Sequence, residues 1–591
     1  MRIRSIVIAA LMASALADAG RPEPVTSLPA PALQAVSGDR TSGWLSQSRS
    51  EVLARNGMVA TSQPLAAEAG LGILRAGGNA IDAAIATAAA LNVVEPASAG
   101  VGGDALAIIW LAKEHRLIAM NAIGRAPAAA TLAAYRAKGF KEMPLHGIHS
   151  ATVPGAVDGW VALLKRAGTL PLGRVLEPAI HLAEDGFPIS ERIRNDWIYG
   201  AEVLSADPES RRVYLPGGRI PETYQIFRNP DLGRTLRLIA DGGRDAFYRG
   251  PVAQAIVKRS RELGGFFAMS DFAPSQVTWD TPITTRYRGV DVYEMPAPPQ
   301  GMAVLEMLNI VEACAPKFGL DIAKLGPRSP DYFHLMIEAK KLAYADLALH
   351  DGDPAFSKVP TDRLISKSYA ASLCNRIDMR RAAPIPPGGE AIGGTVYVAT
   401  ADREGNMVSF IYSIYDSFGS GITIPGYGFV LGDRGALFNL DPASPNVVAP
   451  TKRPFHTLLP GFLMKDGRPL MAFGLMGGGQ QAQGHAQVLV DILDFGANVQ
   501  SASDAARFTH VQARNRLALE SQLYRLVGAE LAQRGHVVES ANGENMGGYQ
   551  AIRFKPEHVG DFPASTKPGG PVNGAYIAGS DHRKDGEAVG W

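Results

Sequence analysis

The chain has 591 residues, of which 46% are hydrophobic and 19% are charged, and its formal net charge at pH 7 is +1. This composition is typical of a folded enzyme and excludes a largely disordered chain. The near-neutral charge argues against nucleic acid or an anionic membrane as a partner. Cys314 and Cys374 could form one disulfide, but two buried thiols are the favoured interpretation.

The N-terminal residues have the pattern of a secretory signal peptide. Arg2 and Arg4 precede a short apolar run over residues 6–16, and small residues recur at positions 15, 17 and 19. We therefore predict a cleaved signal over 1–19, a flexible leader over 20–50, and an exported protein, periplasmic or secreted. The alternative is an uncleaved anchor. No later apolar run is long enough to span a bilayer, so we expect no membrane contact after signal removal.

The first folded elements are predicted from residue 57 onward. Residues 58–61 form a short strand, and helical spacing follows over 64–76 and over 80–91, the latter capped by Asn79. The second helix is alanine-rich and apolar on most faces, so it must be buried. Gly102-Gly103-Asp104 lacks the lysine of a phosphate loop, and we expect its glycines to allow close backbone packing instead.

The middle of the chain is predicted to be mainly helical. One continuous strand is expected over residues 287–295. Acidic residues beside His350 could bind a metal, as could His146 and His149, but polar loops are the favoured interpretation and no metal or cofactor is expected. The predicted helices cover residues 155–167, 174–184, 191–200, 230–242, 250–263, 301–314 and 329–349.

A hairpin that begins at Thr395 is the candidate catalytic element. Gly393-Gly394 precede Thr395, and two apolar strands flank a turn over residues 402–406. A threonine hydroxyl becomes nucleophilic when its own α-amine, with a pKa of roughly 7.7–8.0, serves as the base. This chemistry requires a cut before Thr395, and the Pro- and Gly-rich residues 382–394 are expected to be exposed enough for one. The alternative is an ordinary hairpin.

A triglycine is the second candidate element. The strands predicted over 462–465 and 469–474 are followed by Gly477-Gly478-Gly479 and by a helix over 486–492. Backbone amides at such a turn can bind an oxyanion, although an isolated triglycine is also common as a plain turn.

Twelve short motifs, in order along the chain, resemble the γ-glutamyltransferase family of N-terminal nucleophile hydrolases. Such an ordered set is specific, and it extends from about residue 57 to about residue 554. The motifs are residues 77–84, 95–103, 153–155, 168–171, 178–180, 184–188, 343–346, 352–354, 405–406, 418–421, 452–454 and 494–496.

The resemblance implies an α/β fold of four layers, an αββα sandwich, made as a precursor that cuts itself. The large subunit would comprise residues 51–394 and the small catalytic subunit residues 395–591, the two forming one body. Thr395 falls at the nucleophile, Ser413 at the hydroxyl that supports it, and Gly477 and Gly478 at the oxyanion glycines.

The amine-binding side of the implied pocket departs from the family pattern. Tyr415 stands where the family has an asparagine, and Leu437 where it has the acid that binds the γ-glutamyl amine. Asp433 and Arg434 are near in sequence but not at equivalent positions, and Arg434 is kept as a candidate substrate-binding residue.

The carboxylate-binding side departs as well. His456 and Thr457 replace paired serines, and Ile123 replaces an arginine, for which Arg125 could substitute. We therefore predict that Tyr415, His456, Thr457 and Arg125 contact the substrate. A retained nucleophile combined with an altered amino-acid-binding pocket resembles the pattern of cephalosporin acylases and oxamate hydrolase-like proteins.

The leading functional hypothesis is a self-processing amidohydrolase or acyltransferase. Thr395 would attack a γ-glutamyl-type amide of the glutathione class, and water or an amine would resolve the acyl-enzyme. One alternative is an acylase for acidic amides without the γ-glutamyl group, of the glutaryl-cephalosporin or oxamate type. Another is a catalytically silent periplasmic binding protein. The expected partners are a small-molecule amide and the two subunits themselves.

Overall fold

The computed structural model describes residues 48–384, 393–543, 545–565, 567 and 569–591. The predicted signal peptide, the predicted leader up to residue 47 and residues 385–392 of the linker before Thr395 lie outside this description.

Strands and helices are interspersed along the described residues. The strands are β1 Val52–Ala54, β2 Gly57–Thr61, β3 Asp104–Leu111, β4 Arg116–Ala122, β5 Phe187–Pro188, β6 Ile226–Phe227, β7 Thr278–Asp280, β8 Ile283–Tyr287, β9 Val290–Glu294, β10 Val396–Asp402, β11 Met407–Ser413, β12 Pro460–Lys465, β13 Arg468–Met476, β14 Phe508–Val511, β15 Arg516–Glu520, β16 Val538–Ala541, β17 Gly548–Pro556, β18 Gly574–Ser580 and β19 Glu587–Gly590. The α-helices are α1 Pro64–Arg75, α2 Ala80–Val94, α3 Leu132–Ala137, α4 Ala156–Ala167, α5 Leu172–Asp185, α6 Glu191–Ala206, α7 Pro208–Tyr214, α8 Pro230–Tyr248, α9 Pro251–Glu262, α10 Met269–Phe272, α11 Gly301–Lys317, α12 Ile322–Leu325, α13 Pro330–His350, α14 Thr361–Leu364, α15 Lys367–Leu373, α16 Gln480–Leu493, α17 Val499–Asp504 and α18 Ser521–Gln533.

Two seven-stranded sheets form the centre of the molecule. Sheet I has the order β1-β18-β17-β13-β12-β9-β8, and sheet II the order β19-β2-β10-β11-β3-β4-β7. Neighbouring strands within each sheet run antiparallel. Helices α1, α2 and α4 lie on the outer face of sheet II, and α11, α16 and α17 on that of sheet I. The predicted αββα sandwich is therefore confirmed.

The alternation of side chains along β10 explains why the sheets are covered on both faces. Val396 and Val398 pack into the cluster that contains the helices of the outer layer, whereas Tyr397 and Ala399 pack into the cluster between the sheets. Every residue of β10 is buried, as is every residue of its partner β11. An apolar strand of this kind is stable only inside a layered body.

The predicted hairpin is confirmed, and it occupies the interior of sheet II. Val396 pairs with Tyr412, and β10 has β2 as its other neighbour. Thr395 therefore directly precedes an interior strand whose first residue, Val396, is paired with β11.

Close backbone packing at Gly102 and Gly103 is also confirmed. A Cβ atom on Gly103 would lie 2.2 Å from the carbonyl oxygen of Ser413, and one on Gly102 would lie 2.2 Å from that of Val430. A side chain at either position would therefore displace backbone. The contact at Gly103 holds the end of β11 against the segment between α2 and β3, and the contact at Gly102 holds the loop around Val430 against the same segment.

The helix predicted over residues 80–91 is buried at every position, as expected. The Oδ1 of Asn79 accepts hydrogen bonds from the backbone amides of Ile81 (2.9 Å) and Asp82 (3.0 Å), which confirms the predicted cap. Among the described residues, no helix combines the length and the apolar composition that crossing a bilayer requires.

Three sequence-based expectations are wrong. The continuous strand over 287–295 is the hairpin β8–β9, because Arg288 (φ 49°) and Gly289 (φ 78°) form a two-residue turn. The helix expected from residue 486 begins at Gln480, directly after the triglycine. Cys314 and Cys374 are joined in a disulfide rather than being free thiols, which connects α11 to the end of α15.

The two sheets share a buried polar contact that allows a stability test. The hydroxyls of Tyr397 and Ser409 are 2.7 Å apart within sheet II, and Ser409 Oγ donates to the carbonyl of Phe473 in sheet I (3.0 Å). We expect Ser409→Ala to destabilise the fold by about 1–3 kcal/mol, because the Tyr397 hydroxyl would be left buried without its partner. Thermal unfolding of the purified protein measures the change.

The double variant Tyr397→Phe/Ser409→Ala is the control for this test. It removes both hydroxyls, so its unfolding temperature should be higher than that of Ser409→Ala. A double variant less stable than the single one would show that the two hydroxyls do not act as a pair.

Candidate active site

Thr395 lines a cavity of about 780 Å³. Its side chain is almost fully buried, with 2% exposure. Residues on this cavity wall that bear on the argument below are Ser98, Gly393, Gly394, Thr395, Tyr415, Asp416, Leu437, Gly477 and Asp351.

The peptide carbonyl before Thr395 is contacted by two hydroxyls. Thr395 Oγ1 donates to the Gly394 oxygen (2.5 Å), and Ser413 Oγ donates to the same oxygen (2.7 Å). Ser413 Oγ in turn accepts from the backbone amide of Tyr415 (2.7 Å). Gln481 Nε2 donates to Thr395 Oγ1 (3.4 Å). The structure thus brings together Thr395, Ser413 and the Gly394–Thr395 bond, as the sequence predicts.

The triglycine turn also lies at this cavity. Gly477 (φ 117°) and Gly478 (φ 59°) both adopt conformations that favour glycine, and Gly477 lines the cavity. Neither amide donates a hydrogen bond to any residue that the structure describes. Gln300 Nε2 holds the turn, because it donates to the carbonyls of Gly478 (3.1 Å) and Thr457 (2.6 Å). The Gly477 amide is therefore available to a ligand in the cavity, whereas Gly478 is not part of the cavity wall and its predicted role stays a prediction.

The predicted substrate-binding residues divide into two groups. Tyr415 lines the cavity, whereas Arg125, Arg434, His456 and Thr457 are not part of its wall. Leu437, at the position of the family's acid, lines the cavity as well. The Nη1 of Arg125 donates to the carbonyl of Ser275 (3.0 Å). Direct contact of these four residues with substrate therefore stays a prediction.

Arg434 is buried directly behind the cavity wall. Its guanidinium lies 4.8 Å from the ring centre of Tyr415, and its Nη1 donates to Thr457 Oγ1 (2.7 Å). Its Nε and Nη2 have no hydrogen-bond partner among the described residues. Burial lowers the pKa of Arg434 to about 10, so the group stays charged at neutral pH. A buried cation with two unused donors is suited to binding an anion.

Tyr415 separates Arg434 from the linker. It adopts a positive φ of 84°, which is uncommon for a residue with a side chain. A Cβ atom on Gly393 would lie 2.7 Å from the Tyr415 ring. The ring is therefore enclosed between Arg434 and the chain that leads into Thr395.

His456 takes part in the scaffold beneath Arg434. Its Nδ1 accepts a hydrogen bond from the amide of Leu458 (3.2 Å), so the proton is on Nε2. Nε2 donates to Asp104 Oδ2, and these two atoms are 3.1 Å apart. Burial, followed by the nearby Arg434, lowers the pKa of His456 to about 4. The imidazole is therefore neutral near pH 7 and positions its neighbours through hydrogen bonds.

Sequence reasoning missed several residues that build this site. Gln481 was not considered because the helix was expected to begin later, and Gln300 lies far from Thr395 in sequence. Asp104 had a signal in Gly102-Gly103-Asp104, where an acid follows two glycines at the start of a buried strand. Its Oδ1 accepts from the amides of Gly124 (2.9 Å) and Gly155 (3.2 Å).

Comparison with known proteins gives a family. The protein-family model that is described as Gamma-glutamyltranspeptidase matches residues 66–591 of this chain. The chain belongs to the γ-glutamyltranspeptidase family. It is accordingly a hydrolase proenzyme of the N-terminal nucleophile type, whose members process themselves. The predicted resemblance is confirmed, and the silent binding protein is set aside.

Individual members of the γ-glutamyltranspeptidase family are similar over most of the chain. The glutathione hydrolase-like YwrD proenzyme of Bacillus subtilis (strain 168) is 35% identical over 547 residues, which is 91% of this chain and 99% of that protein. The oxamate amidohydrolase proenzyme of Klebsiella pneumoniae is 34% identical over 549 residues, 91% and 98% of the two chains. A crystal structure of cephalosporin acylase from Bacillus halodurans is 38% identical, with a TM-score of 0.84, and covers 94% of this chain and 99% of that one.

The buried His456 gives a pH test of the scaffold. Its pKa is about 4 in the folded chain and 6.5 without burial, so between these values the unfolded chain binds the extra proton. This histidine therefore contributes a loss of stability as the pH falls from 6.5 to about 4, on the order of 3 kcal/mol. His456→Gln keeps a donor for Asp104 but cannot titrate.

We expect the unfolding temperature of His456→Gln to fall less than that of the wild type between neutral pH and a pH near 4. Thermal scans at the two pH values measure the difference, which isolates His456 from the other groups that titrate. Equal losses in the two proteins would contradict the burial of a neutral imidazole.

Proposed function

We propose that the chain matures by cutting itself between Gly394 and Thr395, into the subunits 51–394 and 395–591. The contacts at the Gly394 carbonyl support this proposal. Thr395 Oγ would attack the carbonyl carbon while Ser413 polarises its oxygen. The bond to the Thr395 nitrogen then breaks as an ester to Oγ forms, and water hydrolyses the ester. The products are a carboxylate on Gly394 and a free α-amine on Thr395.

In the mature enzyme the same hydroxyl would attack the substrate amide. The α-amine of Thr395 accepts the hydroxyl proton and delivers it to the departing amine. The amides of Gly477 and Gly478 stabilise the oxyanion, a contribution whose loss typically costs about 10²–10³ in kcat. Water, or an acceptor amine, then releases the acyl group from Thr395.

We further propose that the preferred donor is an acidic amide without an α-ammonium group, of the glutaryl or oxamate type. The observation that carries this is Leu437, which lines the cavity between Ala436 and Phe438 and offers no charge to an ammonium. A desolvated ammonium without a partner is costly. The unused donors of Arg434, behind Tyr415, would bind the carboxylate. The names of the acylase and the oxamate amidohydrolase among the relatives agree with such donors.

A γ-glutamyl donor of the glutathione class is the second candidate. Asp416 favours it, because its carboxyl group lies on the cavity wall beside Tyr415 and could bind an ammonium. The glutathione hydrolase-like relative agrees with this alternative.

We also propose that the protein is exported after removal of residues 1–19, to the periplasm or the medium. The basic and apolar N-terminal pattern supports this location. The disulfide between Cys314 and Cys374 supports it independently, because disulfides persist mainly in oxidising compartments.

Maturation is tested by substitution of the proposed nucleophile. Wild-type protein should give two bands on a denaturing gel, and N-terminal sequencing of the smaller one should begin at Thr395. Thr395→Ala should remain a single chain because the attacking oxygen is gone, whereas Thr395→Ser retains a hydroxyl and should still cut, more slowly. A small fragment that begins elsewhere would remove Thr395 as the nucleophile.

The donor is tested with a matched pair of chromogenic amides. We expect kcat/KM for glutaryl-4-nitroanilide to exceed that for the γ-glutamyl compound by about one to two powers of ten, since an unpaired buried group costs about 1–3 kcal/mol. Leu437→Asp supplies the missing charge and should lower this ratio, and Leu437→Asn is its uncharged control.

A wild-type preference for the γ-glutamyl compound would instead support the second candidate. In that case Asp416→Asn should weaken the γ-glutamyl reaction selectively. Equal effects of Asp and Asn at position 437 would show that charge at this position does not select the donor.

A further inference from the structure

A cluster of three side chains lies beside the catalytic cavity, which one of them, Asp416, lines. His146, Asp416 and Asp433 each direct one potential ligand atom to a common point, and these atoms lie within 4.8 Å of one another. His146 comes from the segment after α3, while the two acids come from the loops that follow β11.

The proton on His146 can be located from its contacts. Its Nδ1 lies 3.1 Å from the carbonyl oxygen of Gly419. A carbonyl can only accept, so Nδ1 carries a proton, and Nε2 is the nitrogen that faces the cluster. The distance from Nε2 to Asp416 Oδ2 is 3.7 Å, too long for a hydrogen bond. A histidine fixed by a carbonyl on one nitrogen and open on the other is the usual arrangement of a metal ligand.

Asp433 is the second independent observation. It has no solvent exposure, its Oδ1 accepts from the amide of Asp416 (3.1 Å), and its Oδ2 has no hydrogen-bond partner among the described residues. Arg434 is adjacent, but its Nη1 bonds Thr457, its guanidinium lies over the Tyr415 ring, and its Nε and Nη2 have no hydrogen-bond partner among the described residues. No described cation is therefore bonded to this carboxyl group, and a buried carboxylate oxygen left this way is costly.

A second cluster shows what a satisfied arrangement looks like. His334, Glu338 and His536 also converge and are buried. There, His334 Nδ1 and His536 Nε2 share a hydrogen bond of 2.8 Å, and Lys341 Nζ bonds Glu338 Oε1 at 2.7 Å. These groups satisfy one another's hydrogen bonds without a ligand, whereas Asp433 Oδ2 in the first cluster has no hydrogen-bond partner among the described residues.

We propose that His146, Asp416 and Asp433 bind one divalent metal ion of the Zn²⁺ class. One imidazole and two carboxylates suit such an ion, and the three ligand atoms, which lie within 4.8 Å of one another, would draw together around it to bonds of about 2.0–2.2 Å. The side chain of Asp416 is 27% exposed, which leaves a coordination position open to the cavity. The ion would fasten the segment that carries Tyr415, and would cancel the repulsion between Asp416 and an acidic donor.

The proposal is tested on the processed, tag-free protein. After dialysis against a chelator, titration calorimetry with Zn²⁺ alone should show one ion bound per molecule. Asp433→Asn and His146→Gln should each weaken binding by about tenfold or more, because even partners outside the ligand set typically account for 10–100-fold. His149→Gln is the matched control: its ring nitrogen contacts the carbonyl of Gly264 (3.0 Å), outside the cluster.

Asp433 is buried and His146 is half-buried, so the folding of the Asp433→Asn and His146→Gln variants has to be checked separately. Both should still process themselves into two chains. Wild-type protein that binds no Zn²⁺, or variants that bind it as the wild type does, would overturn the proposal. If the wild type instead binds L-glutamate in an Asp433-dependent way but no Zn²⁺, the cluster is a substrate ammonium site and the metal proposal is wrong.

Discussion

The hydrogen bond from Ser413 to the Gly394 carbonyl is the interaction on which the site depends. Ser413 ends an interior strand and its oxygen is fixed by the amide of Tyr415, so the carbonyl is held in one place. This requires β10 and β11 to be in register and Gly103 to admit the end of β11. The layered fold therefore serves to position one peptide bond against one hydroxyl.

The nucleophile and the layers could be predicted from the sequence because both depend on local patterns. Alternating β-branched residues after Gly394 identify a hairpin, and an alanine-rich helix without a polar face has to be buried. The same reasoning failed at Gln481, since a triglycine conceals where the following helix begins. It also failed at residues 287–295, where two turn residues interrupt a run with the alternation of one strand.

The specificity side of the site could not be predicted in the same way. His456 is predicted from the sequence to contact the substrate. Its hydrogen-bond partner Asp104, however, lies 352 residues earlier in the chain and holds the imidazole inside the protein. A long separation in sequence also conceals the cluster of His146 and Asp433, because only the fold brings their loops together. Burial and long-range pairing, rather than residue type, decide what these side chains do.

The strand order of the sheets has a consequence for the two products of a cut before Thr395. In sheet II, β19 from one product flanks β2 from the other, and in sheet I the strands of the C-terminal product lie between β1 and β9. Neither product contains all the strands of either seven-stranded sheet. An enzyme cut in this way would be an interdigitated heterodimer: after denaturation its halves would have to meet again before either sheet could be completed, so its recovery would be a second-order process that depends on concentration.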